Sequence, residues 1–171
     1  MDTRRVRLAG SRRLVGLCEV PDLELFPARY PAVRTVLFRA GLELPVLHIG
    51  TWLAAALVRL GIIRDLSRYA ARLRRWSEWF MRWGTDVGGM AVELAGESPQ
   101  GRPLRLRWSL EAAAGEGPEV PVTPALVLAQ WLADGRLDRV GAMPCIGLLP
   151  LSALEDGLSG FAVRTGVDTL P

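Results

Sequence analysis

Histidine and cysteine set the first limit on what this 171-residue chain can catalyse: it has one histidine, His48, and two cysteines, Cys18 and Cys145. Any Ser-His-Asp or Cys-His relay, or a metal site needing a histidine, must pass through His48. In Pro45-Val46-Leu47-His48-Ile49-Gly50 that residue stands among aliphatics, where a lone histidine is ordinarily a hydrogen-bonded structural residue, and it is kept as one candidate site residue. Cys145, in Met143-Pro144-Cys145-Ile146-Gly147, has no base beside it and reads as a buried thiol. The cysteines form no CxxC or CxxH cluster, which argues against a disulfide framework or structural zinc, and the carboxylates show no DxD or HxE spacing.

Two glycine-rich stretches carry the other candidate residues. Gly115-Glu116-Gly117-Pro118-Glu119-Val120 begins like a dinucleotide-binding GxGxxG. Val120 replaces the third glycine, Pro118 and Pro121 oppose a helix starting at the phosphate site, and the strand before it is half polar, so no cofactor is expected to bind in this chain. The stretch reads instead as the entry to a helix capped by Thr123, with an amide-rich turn able to hold a carboxylate. The second stretch, Gly84-Thr85-Asp86-Val87-Gly88-Gly89, needs positive φ or a close approach to a neighbouring element. Asp86, Gly88, Gly89, Gly115, Gly117, Pro118 and Thr123 are the candidate substrate-contacting or loop-shaping residues.

All 21 basic residues are arginine. Without lysine there is no Schiff-base chemistry and no Walker phosphate loop. The charge is uneven: residues 1–84 hold fifteen arginines and seven acids, net +8, and residues 85–171 hold six and eleven, net −5. Half the residues are hydrophobic and mean hydropathy is +0.20, enough apolar surface to fold as one domain over 1–171. The longest apolar run, Ile49 to Val58, falls short of the ~20 residues of a bilayer span, and no leader pattern is visible, so a soluble cytoplasmic protein is expected.

The elements that position these residues follow from periodicity. Arg5–Leu8 and Leu14–Leu17 form a hairpin; Pro21–Pro27 reads as an extended edge or loop; Val33–Phe38 reads as a third strand; and 47–62 is helical. In 64–83, Leu66, Tyr69, Leu73, Trp76, Phe80 and Trp83 recur at helical spacing between arginines. That stripe is expected to pack against the sheet or a second subunit. Its composition also occurs on membrane-surface helices and nucleic-acid platforms; no nucleic-acid partner is expected, and a membrane role is the weaker reading. Val92–Leu94 and Leu104–Ala112 alternate as a long antiparallel hairpin, Ala125–Ala133 is a helix, Val140–Leu149 a buried extended stretch, Leu151–Asp156 a short helix capped by Ser152, and Phe161–Thr165 a last strand. The expected fold is α+β, a largely antiparallel sheet with helices packed on one face.

Six segments occur in a characteristic order: Pro21-Asp22-Leu23-Glu24-Leu25; Ala40-Gly41-Leu42-Glu43; Gly84 to Met90; Trp108-Ser109-Leu110-Glu111-Ala112; Gly115-Glu116-Gly117-Pro118 with Pro121 and Pro124-Ala125; and Gly141-Ala142-Met143-Pro144-Cys145. In sequence and spacing they resemble the part of bacterial saccharopine dehydrogenase-like proteins that lies beyond the NAD(P)-binding domain. The resemblance implies a substrate-binding and dimerisation domain, inactive alone, that forms a homodimer and takes NAD(P) through a Rossmann domain in a full-length or partner protein. It assigns no catalytic residue here. A free-standing small-molecule binding module is the alternative, and peripheral membrane attachment through 64–83 a further one.

Overall fold

In the computed structural model, which describes residues 3–139 and 141–170, the chain is α+β and all strand pairing is antiparallel. It divides into two compact units, Met1–Thr85 and Asp86–Pro171. The boundary coincides with the change of charge sign in the sequence, so the first unit is the basic one and the second the acidic one. The antiparallel strands are accordingly shared between two three-stranded sheets.

In the first unit, β1 (Thr3–Leu8) and β2 (Ser11–Leu17) pair from Thr3↔Gly16 to Leu8↔Ser11. Ala9 and Gly10 turn between them, both at positive φ (49° and 70°), the conformation whose twist matches a two-residue hairpin. Pro21–Pro27 is helical: α1 spans Asp22–Arg29. Pro21 precedes the first turn, where its fixed φ costs nothing, and Pro27 sits near the end, where it removes one helical hydrogen bond. The expected strand over Val33–Phe38 is also absent. Only β3 (Arg39–Ala40) pairs, with Leu17 and Gly16 of β2, and Cys18 N–H donates to Phe38 O at 3.1 Å. β3 uses only the last two residues of the β2 edge. Gly41 is obligatory beside it, since a Cβ there would stand 2.1 Å from Leu14 O.

Helix α2 (Pro45–Arg59) starts at Pro45, a favoured first position, and a single 3₁₀ turn (Ser67–Tyr69) leads into α3 (Ala70–Met81). Among the described residues of this unit, buried side chains are confined to β2, at Arg13 and Val15.

In the second unit β4 (Gly88–Glu97), β5 (Pro103–Ala112) and β6 (Val163–Leu170) lie in that order, the long hairpin as expected and the last strand two residues later and longer. Helix α4 (Glu119–Ala133) starts four residues before Thr123, which therefore lies inside the helix instead of capping it. The prolines that argued for a loop are tolerated: Pro118 caps the helix, and Pro121 falls in the first turn, where a missing N–H has no helical partner to lose. Helix α5 (Leu151–Leu158) follows Pro150 and has no side-chain cap from Ser152. Val140 lies outside the described residues; 141–149 is a chain of bends and turns, mostly exposed, with no strand. Gly141 and Gly147 take positive φ there.

The core of this unit is Leu110, Ala112 and Leu158, with Trp108, Val120, Leu154 and Val163 against it. Register places Met90, Val92 and Leu94 opposite Leu110, Trp108 and Leu106, and Val167 opposite Trp108, on the same sheet face as that core. Leu158 of α5 closes over the Leu110–Ala112 end of the face, while Met90, Val92, Leu94 and Val167 stay exposed.

Candidate functional site

The two glycine stretches come together in the second unit. Gly115 N–H donates to Asp86 O at 3.0 Å. Gly88 pairs with Ala112 and faces Gly117, whose Cα lies 3.9 Å from where a Gly88 Cβ would stand; Gly89 pairs with Glu111 one step along. Gly115 has φ +74° just after Ala114 at +55°, so this corner needs the glycine. Gly84 shows the close approach expected of the 84–89 stretch: a Cβ there would lie 2.9 Å from Glu43 Oε2.

The corner is filled from within. At the start of α4, Glu119 N–H donates to Glu116 O (3.1 Å) and Val120 N–H to Gly117 O (3.3 Å), while Pro121 has no N–H to offer. The Glu116 carboxylate accepts the Ala162 N–H. These amides are engaged within the loop itself, beside the carboxylates of Glu116 and Glu119. Thr123 is buried, its hydroxyl donates to Glu119 O at 2.8 Å, and its methyl stands 2.7 Å from the Cβ that Gly157 lacks. Thr123 therefore acts in α4–α5 packing.

His48, on α2 in the first unit, is half-buried over β2: its Nε2 lies 3.8 Å from where a Gly16 Cβ would be. Nearby polar chemistry centres on Glu43. Its Oε1 accepts the Thr85 N–H (2.8 Å) and hydroxyl (2.5 Å) and stands 3.8 Å from Arg13 Nη2. Burial pushes the Glu43 carboxyl upward, but the Thr85 hydrogen bonds and the Arg13 charge outweigh this and hold it below the usual carboxylate range. The arrangement ties the end of the unit to β2 and uses up the donors around it. Cys18 and Cys145 are both exposed free thiols, against the buried position expected for Cys145. Among the described residues no three metal-ligating side chains cluster.

The open feature of the first unit lies between α2 and α3. A groove of about 650 Å³ is walled by Leu53, Leu57, Ile63, Leu66, Leu73 and Trp76, with Tyr69, Arg72 and Arg75 also lining it. The stripe over 64–83 does not pack against the sheet as expected: its Leu73, Trp76 and Trp83 are 43%, 72% and 58% exposed, and neither α2 nor α3 buries a residue fully. A sheet whose third strand is two residues long has little face to offer two helices. The missed signal was in α2, whose fifteen residues include one charge, Arg59, at the end; a helix apolar all round must be covered by something. Compared with protein-family models, with curated proteins and with solved structures, the chain finds no match in any of the three.

Proposed function

We propose that this chain is the substrate-binding and dimerisation part of a saccharopine dehydrogenase-like NAD(P)-dependent oxidoreductase, without redox activity by itself. The α2–α3 groove carries the binding half of this reading. Its volume of about 650 Å³ falls within the roughly 300–1,000 Å³ of small-molecule sites. Its aliphatic wall, with Arg72 and Arg75 in the lining, suits an elongated apolar molecule ending in a carboxylate or phosphate. The ordered segments from Pro21 to Cys145 support the family, and the cofactor then belongs to a Rossmann domain in the full-length or partner protein. The half-covered sheet face of the second unit is the surface offered for dimerisation.

Calorimetric titration of the full chain with dodecanoate, and separately with NADPH, tests this. Saturable dodecanoate binding is expected, weakened at least tenfold by Leu57→Glu in a chain whose circular dichroism is unchanged, together with no NADPH binding. Micromolar NADPH binding, or dodecanoate binding indifferent to Leu57→Glu, would overturn the proposal.

A further inference from the structure

The surface around the groove carries a second inference, which does not rest on the substrate reading. The turn joining α2 to the 3₁₀ segment is Leu60-Gly61-Ile62-Ile63, bracketed by Arg59 and Arg64. Leu60 and Ile62 are 73% and 67% exposed, where a solvated loop tip would be polar. From there α3 presents exposed Trp76 and Trp79, and Trp83 follows just beyond its end; Trp79 and Trp83 pack edge-on at 5.1 Å, with Phe80 at 5.4 Å from Trp83. Between 59 and 82 stand seven arginines, at 59, 64, 68, 72, 74, 75 and 82, against Asp65 and Glu78. Those two acids each take one arginine, Arg68 at 3.4 Å and Arg74 at 3.5 Å, leaving the stretch at net +5.

We propose that residues 59–83 dock the protein on an anionic phospholipid surface, with Leu60 and Ile62 entering the acyl boundary, the tryptophans lying at the headgroup level and the arginines meeting lipid phosphates. Three observations select this occupant. An apolar tip flanked by arginines, with indole rings beside it, matches the layering of a bilayer interface: hydrocarbon, then amphipathic rings, then charge. A second copy meeting this face with its own would bring a +5 surface against another +5 surface, which opposes symmetric self-association through it. Helix α2, which ends at this tip, carries one charge in fifteen residues, so its apolar surface continues that of Leu60 and Ile62.

Flotation of the full chain with vesicles of phosphatidylcholine, with and without 30% phosphatidylglycerol, tests the proposal. Flotation with the anionic vesicles only is expected, with a blue shift of tryptophan emission and loss of binding as salt rises. Leu60→Asp/Ile62→Asp and Arg64→Glu/Arg68→Glu should each cut partitioning at least tenfold. All four positions are exposed, so both variants should fold, which circular dichroism checks. No flotation at micromolar protein, equal flotation with neutral vesicles, or flotation indifferent to both variants overturns the proposal. So does sedimentation showing a dimer that Leu60→Asp/Ile62→Asp abolishes, because the face would then be a contact between copies.

Discussion

Glu43 shows how a side chain of ordinary type acquires a structural task from two residues distant in sequence. Its carboxylate receives two bonds from Thr85 and faces Arg13. With the side chain 28% exposed, Glu43→Ala should cost about 1–2 kcal/mol, read as a shift in the urea midpoint at pH 7. Because the folded carboxyl titrates below its unfolded value, this stabilisation is fully present above the ordinary carboxylate pKa and is lost as pH falls through the folded pKa. The gap between wild type and variant should therefore close in acid; a gap unchanged at pH 3 would refute the account. None of this was legible in the sequence, where Glu43 appears only inside Ala40-Gly41-Leu42-Glu43, because pairing across 42 residues leaves no local pattern. The corner of Asp86, Gly88, Gly115 and Gly117 was better signalled, since glycine where the backbone must turn or be approached marks itself by type.

Among the elements, those with clean periodicity were read correctly: the β1–β2 hairpin, the β4–β5 hairpin, α2 and α5. The strands expected over Val33–Phe38 and from Val140 to Leu149 did not form where the structure describes them, and two helices were missed at prolines. Pro21, Pro27, Pro118 and Pro121 argue against helix by type, yet three of the four stand at a cap or in a first turn, where the missing N–H costs little, and Pro27 stands near the end of its helix. Packing of α4 on α5 depends on Gly157, whose absent Cβ leaves 2.7 Å to Thr123 Cγ2 and 3.2 Å to Val127 Cγ2. Gly157→Ala must push the helices apart although alanine is the better helix former. A loss of about 1–3 kcal/mol is expected from overpacking, and calorimetry showing a higher melting temperature would contradict it. The α3 stripe was legible as amphipathic, but its partner was not: periodicity reports that a face is apolar and says nothing of what lies against it.

For the molecule as a whole, the order of strand and helix patterns predicts the α+β class that the structure shows, and the charge break at 84–85 falls at the boundary between the two units. The dimerisation reading makes its prediction at this scale. If copies pair through the face carrying Leu94 and Val167, then Leu94→Glu/Val167→Glu should give a monomer in sedimentation velocity with its circular dichroism intact. An unchanged dimer would move the contact elsewhere. The same division of charge has a colloidal consequence. A chain with a +8 unit and a −5 unit can attract the opposite unit of another copy head to tail. Such a head-to-tail contact propagates into open strings wherever its rotation does not close a ring. At ionic strengths where the Debye length is some tens of ångströms the solution should turn opalescent, and it should clear again when salt is added.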